Sequence, residues 1–161
     1  MKVIYIFIFV AFIFNACGNR NNIELKDDVA TVEHAIVQVD SIFSKFDDSV
    51  SLVFVKDNQL YINQTNYNNF DSLTQEQVPE LKHLDSSDWQ LLKNNLTLLQ
   101  KNNISGFSST QYGFTRFLYK DEPGEAYMKR YIAMDSGNLT FDHTGYTLLD
   151  RKSNLVLFSG G

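Results

Sequence analysis

Apolar positions give the first outline of this chain. From Val29 they recur at Val32, Ile36, Val39, Phe43 and Phe46, in steps of three and four, the stripe of an amphipathic helix. Asp27 and Asp28 stand where the start of such a helix favours negative charge. The stripe covers fewer than three heptads, which argues for a helix laid on its own domain rather than a coiled coil or partner-docking helix. Leu52-Val53-Phe54-Val55 and Leu60-Tyr61-Ile62 then read as two strands joined through Asp57-Asn58, a hairpin.

Residues 63–85 are rich in Asn and Gln, contain Pro79 and hold no sustained period, which predicts a long surface connection with one short helix near Glu76 to Leu84. Ser87, with Gln90 three positions on, has the form of a capping box opening a second helix. Its apolar face is Trp89, Leu92, Leu96 and Leu99, and it should end near Asn102-Asn103. Trp89 at that spacing reads as core rather than as a ligand platform. Beyond Gly106 the pattern shortens to aromatic strands over 112–120, 126–134, 145–150 and 155–159, divided by Pro123-Gly124 and Ser136-Gly137-Asn138. The expected fold is α+β: amphipathic N-terminal helix, β-hairpin, second helix, then a C-terminal antiparallel β-meander. One globular domain over 27–161 is expected, without repeat or linker. This order of elements resembles the profilin-like and PAS or Cache families of small sensor and scaffold domains, a likeness of topology that carries no function.

Before the first helix the pattern is different. Met1-Lys2 precedes twelve consecutive apolar residues, Val3 to Phe14. Crossing a bilayer takes roughly 20 apolar residues, whereas secretory signals use about 7–15. The only cysteine, Cys17, follows directly in Phe14-Asn15-Ala16-Cys17-Gly18. That string resembles the lipobox of bacterial lipoproteins, in which a small residue precedes a cysteine that receives diacylglycerol and becomes the new amino terminus. Ala16 and Gly18 fit the pattern; Phe14 and Asn15 replace the commoner Leu and Ala, Ser or Thr. The resemblance implies a signal peptide over 1–16, lipidation at Cys17 and a flexible tether over 17–26. Asp does not follow the cysteine and no acidic run does, so the same resemblance implies an outer-membrane anchor facing the periplasm. The competing reading, an ordinary cleaved signal, sets Phe14 against the small-residue cleavage rule and leaves an unpaired thiol in an exported protein.

Charge narrows the partners. The chain carries 14 basic and 19 acidic residues, and losing Lys2 with the leader moves the net charge from −5 to −6. An acidic surface disfavours nucleic acid and anionic lipid, so membrane contact is assigned to the lipid anchor.

Pairing strands across Pro123-Gly124 sorts their side chains into two faces whichever of the neighbouring registers is taken. Phe117, Tyr119, Ala126, Met128 and Ile132 share the core face, with Arg130 near its edge. The other face gathers Phe114, Arg116, Leu118, Lys120, Tyr127, Lys129 and Tyr131. Rings and cations together on an acidic protein suit an anionic small molecule, a glycan or an acidic partner. Phe114, Arg116, Lys120, Tyr127, Lys129 and Tyr131 are therefore the candidate binding residues, and exposed rings at Tyr127 and Tyr131 are what a binding surface requires. Under the competing reading the rings pack beneath a neighbouring helix and the Lys and Arg stems lie over them.

Catalytic signatures are missing. His34, His83 and His143 are far apart, Glu33-His34 is not a zinc pair, and Asp142-His143 are adjacent residues that cannot easily contact one another. The chain contains no G-x-S-x-G, P-loop, G-x-G-x-x-G or C-x-x-C string. No catalytic residue, metal ligand or cofactor is assigned. Asp40-Ser41-Ile42, Asp48-Ser49-Val50 and Asp71-Ser72-Leu73 resemble an O-glycan acceptor pattern of some envelope-rich anaerobic bacteria, with Ser72 the one in an expected loop. The reading that follows is a lipid-anchored cell-envelope protein that binds a partner protein, a glycan or other envelope polymer, or a small anionic ligand. An immunity-type or inhibitor lipoprotein is a narrower version. The alternative is an envelope hydrolase built on His143 or scattered carboxylates.

Overall fold

The computed structural model describes residues 22–46, 49–110, 114–119, 130–135 and 145–160. Two α-helices, α1 (Val29–Phe43) and α2 (Ser86–Lys101), pack on one another and on one face of an eight-stranded antiparallel sheet. The fold is α+β.

Both helices start where a carboxylate can accept an orphan backbone N–H. Asp28 Oδ1 accepts from Thr31 N at 2.9 Å, and Asp85 Oδ1 accepts from Asp88 N at 2.7 Å. The second cap is therefore Asp85, two residues before the expected Ser87, whose hydroxyl instead donates to the same Asp85 oxygen. Val32, Ile36 and Val39 of α1 and Trp89, Leu92, Leu96 and Leu99 of α2 are buried, as the spacing required. Between the helices, buried Asn95 donates from Nδ2 to Gln38 Oε1 at 2.9 Å.

The hairpin is β1 (Leu52–Lys56) and β2 (Gln59–Ile62). Its turn residues, Asp57 and Asn58, both have positive φ, the geometry that matches strand twist in two-residue turns. A third strand, β3 (Thr65–Asn68), adds to β2 and forms one edge of the sheet. The rest of the expected surface connection is three single-turn 3-10 helices at Phe70–Ser72, Gln75–Gln77 and Pro79–Leu81. They bury Phe70, Leu73, Val78, Leu81 and Leu84 in the core, so this segment is packed structure and not a solvated loop.

After α2 come β4 (Ile104–Ser109), β5 (Thr115–Tyr119), β6 (Arg130–Met134), β7 (Tyr146–Lys152) and β8 (Leu155–Gly160). The spatial order is β3-β2-β1-β4-β5-β6-β8-β7. Strand β8 turns back between β6 and β7, which leaves β7 as the second edge. Strand β4 holds the centre at Gly106, where an added Cβ would lie 2.2 Å from the Val53 carbonyl oxygen of β1. Only glycine allows the two backbones to approach this closely.

One row crosses the sheet on the helix side: Ile62, Val53, Phe107, Phe117, Ile132 and Leu157, ending in Asp150 on β7. The six apolar members are buried with α1 and α2 in the helix-side core, each stabilising the fold at roughly 25 cal/mol per Å² of apolar surface removed from water. The Phe117–Ile132 and Leu118–Tyr131 pairings match the two faces sorted from sequence. Ile132 belongs to the helix-side core, and Tyr131 to a separate cluster on the opposite face.

Candidate functional site

The opposite face carries the chemistry. Tyr131, Phe158 and Leu148 lie in one row across β6, β8 and β7, and Leu118 pairs with Tyr131 from β5. Phe114, Tyr131, Tyr146 and Phe158 form a connected ring cluster. The Tyr146 and Phe158 centroids are 5.1 Å apart, Tyr131 and Phe158 5.5 Å, and Phe114 and Phe158 6.0 Å. Most of these contacts are edge-on or tilted, the arrangements that ring quadrupoles favour.

Into this cluster β5 sends Arg116. Its guanidinium carbon lies 4.3 Å from the Tyr131 ring centroid and 6.0 Å from that of Tyr146. Nε donates to Ser108 Oγ at 2.9 Å, and Nη1 donates to the Tyr146 hydroxyl at 2.8 Å. Ser108 is the cross-strand neighbour of Arg116 on β4 and is itself buried. Among the described residues no carboxylate is paired with Arg116. The second Nη1 hydrogen and both on Nη2 have no described protein acceptor. No buried side-chain nitrogen or oxygen among the described residues lacks a partner, so Nη2, which makes no described hydrogen bond, is not sealed from solvent.

Among the described residues, the geometry fixes a planar cation without an anionic partner. Holding a half-buried guanidinium with hydroxyls and π-faces costs desolvation that a carboxylate partner would offset. The arrangement leaves the Nη2 donors for an oxygen of a carboxylate or phosphate. Tyr131 beneath it is 1% exposed. Burial pushes its hydroxyl above the ordinary tyrosine value; the Arg116 charge opposes that shift and Tyr146 adds to it.

Of the six binding residues named from sequence, Phe114, Arg116 and Tyr131 come together here. Lys120, Tyr127 and Lys129 lie outside the described residues, as do Cys17, the leader and His143. Tyr131 is buried and not exposed, because β6 is an inner strand and Tyr131 packs against Arg116, Tyr146 and Phe158; the exposed-ring surface expected from sequence therefore fails at this residue, and the accessible group on this face is the half-buried Arg116. The sequence reading missed Ser108, Tyr146 and Phe158. The rings could have been found by placing β8 beside β6, but chain order suggests β7 for that position. The glycine at 106 was the one local sign of β4, and hence of Ser108.

Elsewhere the described surface is chemically sparse. His34 and His83 are exposed, as are Ser41 and Ser72. Among the described residues no three His, Cys, Asp or Glu side chains cluster as a metal site would need, and no helix is long and apolar enough to cross a membrane. Comparison of the chain with protein-family models, with characterised proteins and with solved structures finds no match.

Proposed function

We propose that this chain is a lipid-anchored binding protein of the bacterial cell envelope, and that its sheet face around Arg116 takes an anionic group of its ligand or partner. The observation that carries the reading is the guanidinium of Arg116, locked by Ser108 and Tyr146, backed by Tyr131, without a described carboxylate and with Nη2 not sealed from solvent. The lipid anchor is supported by the leader and by the position of Cys17 as the only cysteine. Lipid attachment supplies location and the arginine supplies charge recognition; a carboxylate or phosphate would add the counter-charge that the described residues do not supply.

Two measurements on the full-length protein test the two parts. Intact mass with membrane fractionation should show an acyl-bearing, detergent-dependent species that is lost in Cys17→Ala. Titration with inorganic phosphate and with acetate should move the Arg116 Nε–H NMR signal, and Arg116→Gln should abolish binding. A lipid-free mass in the native protein removes the anchor; an Arg116 signal indifferent to both anions removes the binding site.

A further inference from the structure

The chain enters the domain as a strap, so residues 23–26 of the stretch expected as flexible tether are packed structure. Ile23 N donates to Asp150 Oδ2 at 2.8 Å and Glu24 N donates to the Tyr119 hydroxyl at 2.8 Å. Lys26 N and Asp27 N both donate to Asn102 Oδ1, at 2.7 and 3.0 Å. Asn102 is fully buried, and its Nδ2 donates in turn to Asp27 Oδ2 at 2.8 Å and Leu98 O at 3.0 Å. Ile23 itself is buried in the helix-side core. The strap therefore begins beside β7, crosses inward past Tyr119 of β5, and reaches α1 at the junction of α2 and β4.

Only residues 18–22 separate Cys17 from Ile23. Fully extended, that stretch spans at most about 20 Å from Cys17 to Ile23. The sheet is wider: eight strands at about 4.8 Å spacing put β3 about 34 Å from β7. A lipid on Cys17 thus holds the β7 edge near the bilayer by a lead shorter than the sheet it carries. The surface of β7 fits that neighbour. Leu148 is 45% exposed, one of two large apolar side chains so exposed among the described residues. Lys152, at the far end of the same strand, is exposed on the helix-side face, and the strand's one acid, Asp150, is engaged by Ile23 N. Resting on the reading of Cys17 as the lipid carrier, we propose that the β7 edge docks on the bilayer surface and that β3, with the 3-10 segment after it, is displayed away from the membrane. Among the described residues β7 is the last strand of the sheet, and docking would also cover that edge.

The test uses the full-length lipoprotein in phosphatidylethanolamine/phosphatidylglycerol vesicles containing a spin-labelled quencher lipid. A fluorophore is placed on Thr147→Cys of β7 or Asn66→Cys of β3, the Cys17 thiol being consumed by its lipid. Intact mass is read first, and a lipid-free product overturns the anchor reading and this orientation with it. In the lipid-bearing protein the label at 147 should be quenched several-fold more than the label at 66. Equal or reversed quenching overturns the docking while leaving the anchor standing. Adding Leu148→Asp should lower quenching at 147 at least two-fold with the lipid still attached; unchanged quenching overturns the contact.

Discussion

The two faces of the sheet are made by the same strands and solve different problems. On the helix side, Val53, Phe107, Phe117, Ile132 and Leu157 form one apolar row sealed by α1 and α2. On the other side, one residue along each strand, the neighbours are Ser108, Arg116, Tyr131 and Phe158, and their centre is a cation. Alternation along a strand makes this division sharp: a single step in sequence moves a side chain from the structural face to the face available for recognition. Stability should therefore depend mainly on one face and anion recognition on the other.

Deep truncation on the helix side gives the largest expected effect. Phe107 is fully buried and its ring lies 4.8 Å from that of Phe43 and 6.0 Å from that of Phe117. Phe107→Ala should lower unfolding stability by about 3–5 kcal/mol in chemical denaturation. A loss below about 1 kcal/mol would show that the helix-side row is not the main core. Gly106→Ala should follow, because its Cβ would sit 2.2 Å from the Val53 carbonyl oxygen. A loss of about 1–3 kcal/mol is expected as β1 and β4 are forced apart, and denaturant midpoints measure it.

Arg116→Met sharpens the contrast most directly. Replacing a half-buried cation that no described carboxylate pairs by an apolar chain of similar length should change stability by no more than about 1 kcal/mol, while phosphate and acetate binding disappears in titration. A stability loss like that of Phe107→Ala would make Arg116 part of the framework and erase the distinction between the faces.

The smallest effects concern pH. Tyr67, which donates to Glu80 Oε2 at 2.5 Å, is pushed up to about 12, chiefly by burial and then by the Glu80 hydrogen bond and charge. Its folded value lies above its unfolded one, so its contribution is complete below the ordinary tyrosine range and lost as pH rises toward 12. Tyr67→Phe should flatten that alkaline decline in pH-dependent melting. The helix caps act in the opposite direction. Hydrogen bonds from the Thr31 side chain and backbone lower Asp28, and those from the Ser87 hydroxyl and Asp88 N–H lower Asp85. Their contribution is present above the ordinary carboxylate range and lost as pH falls through the lowered values, so Asp28→Asn should reduce the acid-side slope.

Sequence alone determined the elements whose signal is local. The helical stripes of α1 and α2, the Asp57-Asn58 turn and the two-face sorting of β5 and β6 follow from periods of 3.6 and 2 and from residues that tolerate positive φ. Only the tertiary structure decided what depends on distant partners. Strand β3 is a polar edge strand, Thr-Asn-Tyr-Asn, visible only through its pairing with β2. Residues 70–84 have no period because their buried side chains project from successive tight turns. The placement of β8 between β6 and β7 brought Tyr146 and Phe158 to Arg116 and buried Tyr131, which chain order could not reveal. A period is written along the chain, but strand order and burial are settled by the competition of whole surfaces for cover.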